Sequence, residues 1–368
     1  MSEIQIQTLS QIHIGNGSFL QKGNDFVVGD GYIYVLNLDR LGTMIGINQE
    51  KAQLWSNAIL KGESESFLKR YIQGHSYNDL AKRQIKCNVG FNFGQSTLKE
   101  CMHDGLGRPY IPGSSIKGAI RTVVMSSLAR KEIVKKLKAE KNRKNWKKII
   151  TGLENELMHF EASTRTGKKD LSPSSDIFRF LATGDAFFEK GVEIAVKQIN
   201  LNITQSESLL DNKKAQIVEA IKDGVSSHFR LSIGEEFYHY SGIENDLDLF
   251  LMINNHTYNL LCDEMNFWSN GEGGNFTGQD DYLDQIDIIL DKIEACKPNE
   301  CILRIGQAGG WRFITGAWLE EIDKGYFQKE IVPLCRPKND RYMDYPFPKT
   351  RRIDSSSNVF GFVKMTIV

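Results

Sequence analysis

The chain has 368 residues with 46 Lys+Arg against 46 Asp+Glu, and this zero formal charge argues against a histone-like or tail-driven binder of polyanions. Hydrophobic residues make up 40% and charged residues 25%, the usage of ordinary soluble domains, so disorder as the main state is excluded. Length alone suggests two domains of roughly 150 residues each.

The opening, MSEIQIQTLS, lacks the basic and apolar regions of a signal peptide, and no stretch approaches the ~18 apolar residues of a membrane span. A cytoplasmic protein with reduced thiols is expected. Its six cysteines, Cys87, Cys101, Cys262, Cys296, Cys301 and Cys335, contain no C-x-x-C pair, so no metal is expected.

Residues 3–14 alternate apolar and polar at Ile4, Ile6, Ile12 and Ile14, which predicts a strand running into Gly15-Asn16-Gly17. Residues 25–28 and 32–38 flank Gly29-Asp30-Gly31 and predict a hairpin. After Pro112, the spacing of Ile116, Ile120, Val123, Val124 and Leu128 predicts a one-faced helix from Ser114, with Ser114 or Ser115 as N-cap. Ten basic residues then meet only Glu132 and Glu140 over 130–148, a run that is either a solvated face or a phosphate-facing one.

Residues 162–176 are rich in turn formers and predict a loop. Strands are expected at 177–188, 193–203 and 228–237, helices at 244–264 and 280–294, and strands again at 301–305 and 359–367. The helix 280–294 carries six acids and one lysine, and 235–250 adds five acids with no base, so neither can face a nucleic acid closely. A basic segment, 336–352, precedes the last strand. The fold class expected is α+β, with a domain boundary near residue 190.

Three constellations could carry chemistry. In Tyr110-Ile111-Pro112-Gly113-Ser114-Ser115-Ile116-Lys117-Gly118-Ala119-Ile120-Arg121, a helix start offers unpaired N–H groups, Gly113 admits close approach, and Lys117 and Arg121 share one face. That set suits phosphates, although a capped helix with two surface cations explains it equally. A P-loop is excluded because Lys117 precedes Gly118 and no Ser or Thr follows. The turn at His13, Gly15 and Gly17 fails the dinucleotide fingerprint, since no helix follows it. The third cluster, Gly306-Gln307-Ala308-Gly309-Gly310-Trp311-Arg312, pairs glycines with a stacking ring and a cation, or else forms a sharp turn around a core Trp. No catalytic set stands out, and His103-Asp104 sits in a glycine loop without further ligands.

HIGNG, YVLNLDRL, RPYIPGSSIKGAIRT, IGQAGG and PKTRR…VFGFVKM together resemble the RAMP superfamily of type III CRISPR effectors, over residues 8–365. Within it the chain is most similar to the fifth-subunit family of type III-A (Csm) complexes. The resemblance implies two ferredoxin-like, RRM-type domains, residues 1–190 with a helical insertion and residues 191–368 with the glycine-rich loop. It implies a non-catalytic subunit that binds crRNA, caps the 3′ side of the particle and supports crRNA maturation in antiviral defence, beside other Csm-type subunits. Recruitment of a host trimming nuclease stays open, and no cofactor is implied.

The RNA-binding residues so implied are Gly113, Ser114, Ser115, Lys117, Gly118 and Arg121, bordered by His13, Gly15 and Gly17. Gly306, Gly309, Gly310, Trp311 and Arg312 form a second contact, and Lys349, Arg351 and Arg352 a third. No RNP-type aromatics are evident on the predicted central strands, so the grip expected is on backbone and shape. The alternatives are a metal-independent endoribonuclease using His13 or His103 as base, and a backbone subunit that cuts target RNA with a loop aspartate and a metal.

Overall fold

In β1 (Ser2–Thr8), Ile4 and Ile6 are buried while Glu3 and Gln5 are exposed, as the alternation requires. The strand stops well before residue 14 because the chain leaves one sheet for another: Ile12 bridges Ile221, and Gly15 opens β2 (Gly15–Gln21). The expected hairpin forms from β3 (Phe26–Gly29) and β4 (Tyr32–Leu36). Its turn residues Asp30 and Gly31 both have positive φ, 49° and 77°, which matches the strand twist in a two-residue loop.

The computed structural model describes residues 1–71, 74–87, 89, 97–129, 151–152, 155–160, 167, 170–314, 317–335 and 344–368. The basic run 130–148 and residues 162–166 and 168–169 of the loop 162–176 lie outside the described residues.

No element is expected from the sequence over residues 39–109, yet here the chain builds α1 (Leu38–Ile45), α2 (Gln49–Lys61), α3 (Ser64–Tyr71) and the single turn α4 (Tyr77–Leu80). Asn37 and Asn48 accept main-chain N–H groups as N-caps, and Gly46 and Gly62 end the first two helices in the left-handed region. Leu38 therefore starts a helix rather than ending a strand. Next come β5 (Ala81–Cys87), β6 (Thr97–Cys101), β7 (Tyr110–Ile111) and α5 (Gly113–Leu128). Helix α5 buries Ile116, Ile120, Val123 and Val124 as their spacing predicts, each contributing roughly 1.5–3 kcal/mol. Pro112 holds the N-cap position, so neither Ser114 nor Ser115 caps the helix.

The strand expected over 177–188 is broken into a 3₁₀ turn and two short strands, β8 (Leu181–Thr183) and β9 (Ala186–Phe187). They precede β10 (Glu193–Asn202), β11 (Leu210–Ile221) and β12 (Ser226–Ile233). Strand β11 has no counterpart among the expected elements, since its first half, LDNKKAQ, has no apolar alternation. After Gly234 the chain turns into α6 (Glu235–Ser241), which buries Phe237 on a helix instead of a strand. The acidic helices α7 (Asp246–Ser269) and α8 (Gln279–Glu294) follow, then β13 (Glu300–Arg304), β14 (Thr350–Ile353) and β15 (Phe362–Ile367).

Five strands, in the order β13-β15-β1-β12-β8, make an antiparallel sheet. A larger sheet runs β2-β6-β11-β10-β5-β4-β3, with β14 also paired to β10; in it β10–β5 and β11–β6 are parallel. Both sheets take strands from each side of residue 190, so that position is not a border between the sheets. The largest core lies between the five-stranded sheet and helices α5 and α7, where Ile4, Ile6, Ile120, Phe250, Ile253 and Val363 meet. No helix among the described residues is long and apolar enough to cross a membrane.

Candidate functional site

Three segments far apart in sequence converge on one cleft of about 580 Å³. His13, Gly15, Gly17 and Phe19 form one wall, Ser115, Gly118 and Thr122 of α5 a second, and Arg304, Gly306, Gly309 and Phe313 a third. The first wall is shaped by a bulge. Gly15 pairs with Cys101 and Phe19 with Lys99, so four steps along β2 span two along β6. Gly17, at φ 90°, supplies the left-handed residue this needs. Asn16 fastens the bulge: its Oδ1 accepts from Ser18 N at 2.7 Å and its Nδ2 donates to Glu100 Oε2 at 2.8 Å.

The glycine loop docks on the same wall. Gln307 N donates to the His13 carbonyl at 3.1 Å, and a Cβ on Gly306, at φ 87°, would come within 2.8 Å of that oxygen. His13 is buried, with Nδ1 2.7 Å from the Glu219 carbonyl, so Nδ1 donates. Burial lowers the pKa of the imidazole despite that hydrogen bond, which keeps the ring neutral near pH 7.

Behind the bulge lies a buried charge cluster. Arg83 donates to both oxygens of Glu219 at 3.0 Å and to Glu100 at 2.8 Å, and Glu219 also accepts from Cys101 N. Burial alone would raise the Glu100 pKa, but hydrogen bonds from Asn16 and Arg83 hold it below its ordinary value. Glu100, His103 and Glu219 offer possible ligand atoms within 4.8 Å of one another. The Arg83 guanidinium supplies the positive charge a cation would bring, so the cluster is complete as a structural network. His103 has an acceptor beside each ring nitrogen, the Cys101 carbonyl 3.0 Å from Nδ1 and Glu193 3.2 Å from Nε2.

Several expected contact residues are engaged elsewhere. Gly113 N donates to Asp185 Oδ1 at 2.7 Å, and a Cβ there would lie 2.3 Å from the Thr183 carbonyl. That glycine admits strand β8, and its helix-start donor already has an anion. Ser114 is exposed and Lys117 half-buried, both outside the cleft lining. Arg121 binds Asp176 at 2.9 Å and lies over the Phe178 ring.

The second and third expected contacts merge into an interior network. Gly310 opens the short helix 310–314, where Trp311 packs on Phe327 and Phe347. Arg312 pairs with Glu320 at 3.3 Å and Glu264 at 3.7 Å. Arg351 makes a two-pronged pair with Glu264 at 2.8 and 3.0 Å and lies over Phe267. Burial would raise Glu264, but Arg351 and then Arg312 pull it down to about 2. Arg352 donates to Gln198 at 2.6 Å, and the Lys349 carbonyl accepts from Ile203 N.

Phe19, Lys99, Thr122, Arg304 and Phe313 also stand in the cleft wall, and none of them is among the residues expected from sequence. Phe19 was legible as an apolar side chain opposite in phase to the buried Leu20 on β2; Lys99 becomes a neighbour only through strand pairing. Lys99 has no ion-pair partner among the described residues. Burial and the positive charge of Arg352 lower its pKa. The acids of α8 are exposed and none lines it.

Known proteins set this geometry in context. One curated relative, a CRISPR system Csm5 protein of Streptococcus thermophilus, is 24% identical over 140 residues; the match spans 34% of this chain and 38% of the relative's length. Two solved structures share the fold. A chain in a cryo-EM structure of a Csm–crRNA–target RNA ternary complex from a type III-A system gives a TM-score of 0.71 at 20% identity, covering 100% of both chains. The crystal structure of T. onnurineus Csm5 gives 0.65 at 18% identity, covering 99% of this chain and 100% of that one. The family profile described as the RAMP superfamily matches residues 5–313, and this chain belongs to that superfamily.

Proposed function

We propose that this chain is a crRNA-binding subunit of a type III-A CRISPR effector, seated at the end of the particle that holds the 3′ portion of the guide. The observation that carries this reading is the cleft. It joins the bulge at Gly15–Phe19, the exposed face of α5 and the loop at Gly306–Gly309, with Lys99 at hand for phosphates and no acid of α7 or α8 in its lining. Likeness to Csm5 proteins supports the choice of subunit. Other Csm-type subunits are its partners, and they offer a counterpart for the acidic faces of α7 and α8.

Two finer points belong to the same reading. The five-stranded sheet and its helices follow the order β1-α5-β8-β12-α7, with β15 and β13 beyond β1, an arrangement that supports one ferredoxin-like unit. The role is binding rather than catalysis, since His103 is tied on both sides and His13 is buried.

The deciding experiment is reconstitution of the effector particle with and without this chain, followed by measurement of guide length and retention. The expected result is a guide with a longer or unprotected 3′ end when the chain is absent. An unchanged guide overturns the reading. Incubation of repeat RNA with the purified chain in excess EDTA checks the catalytic alternative: a discrete product lost in His13→Ala would make it an endoribonuclease.

A further inference from the structure

Phe19 is 54% exposed, although it sits on a strand whose next residue, Leu20, is buried. The bulge puts it in the wall of the cleft, and Lys99, its cross-strand partner, lies 5.6 Å from the ring centroid. An aromatic face open to solvent beside an ammonium without an ion-pair partner suits a nucleotide, whose base is flat and whose phosphate is anionic. The α5 part of the lining offers small groups, Ser115 and Gly118, which leave room for a ring. Gly17 and the Asn16–Glu100 bond hold the platform in place before any ligand arrives.

We propose that Phe19 stacks one nucleobase of bound single-stranded RNA and that Lys99 meets a neighbouring phosphate. This rests on the RNA-binding reading above and adds to it a base contact in a site otherwise expected to grip only the backbone. Stacking carries no sequence preference, because every base has a π-face.

The test is a scan with the full-length purified chain and a set of single-stranded guide-type RNAs, each carrying one abasic nucleotide. The unmodified chain is expected to lose about tenfold in affinity at one position and little elsewhere. In Phe19→Leu that position-specific loss disappears, while Phe19→Trp retains it; the exposure of Phe19 means neither change should alter the melting temperature. RNA binding with a flat abasic profile overturns the stacking proposal and leaves the RNA reading standing. So does a Phe19→Leu chain that weakens intact and abasic RNA equally, which would mark the ring as a protein contact. No RNA binding by the unmodified chain overturns the reading beneath it.

Discussion

Asn16 and Glu100 join the cleft to the interior: Nδ2 of the first donates to Oε2 of the second at 2.8 Å, and Glu100 uses its other oxygen to accept from Arg83. A surface turn is thereby anchored to a buried ion cluster through one side chain. Asn16→Ala should cost about 1 kcal/mol or less in stability, because the bond is solvent-exposed. Its larger effect should be a severalfold weaker guide affinity, as the bulge loses its fixed shape. Thermal melting and an anisotropy titration separate the two.

Arg83 stands between two carboxylates, and Glu219 is fully buried. Arg83→Met should destabilise the chain by about 3–5 kcal/mol by leaving buried charge uncompensated. Urea denaturation measures this, and a loss below about 1 kcal/mol would contradict the network described.

The two cations of the PGSSIKGAIR segment should separate in a salt titration. Lys117→Ala and Lys99→Ala should each flatten the dependence of guide affinity on salt by about 0.7 for every phosphate that the lysine neutralises. Arg121→Ala should leave that slope unchanged and lower stability by about 1 kcal/mol, since Arg121 serves Asp176 and Phe178. Slopes in both lysine variants equal to that of the unmodified chain would show that neither lysine meets phosphate.

Glu264 sets the acid limit. Its pKa is held near 2 in the folded chain, below its value when unfolded, so the Arg351–Glu264–Arg312 network stabilises fully above about pH 4.5. That contribution, on the order of 3 kcal/mol, is lost as pH falls through 4 toward 2. Glu264→Gln should be less stable at pH 7 and should show a shallower loss between pH 5 and 2, as followed by circular dichroism.

The sequence exposes those regions of the molecule whose information is local. The alternation at Ile4 and Ile6, the turn Asp30-Gly31 and the stripe from Ile116 to Val124 depend on neighbours within a few residues, and each forms as read. The glycines at 15 and 17 and that at 306, read as parts of separate contacts, meet in one cleft through packing at long range. What could not be read is pairing at long range. Trp311, Arg312 and Arg351 look like RNA contacts until Glu264 is seen among them, and nothing near residue 264 announces that role. Gly113 likewise serves β8, seventy residues away, rather than a ligand.

Strand β1 lies at the centre of its sheet between β12 and β15, so residues 2–8 must wait for residues 226–233 and then for 362–367. Until the ribosome releases β15, Ile4 and Ile6 have a neighbour on one side only. The half-built sheet then shows an open, apolar edge for much of synthesis. Translation speed and chaperone capture between β12 and β15 should therefore govern the yield of folded protein more than any event in the synthesis of β1 itself.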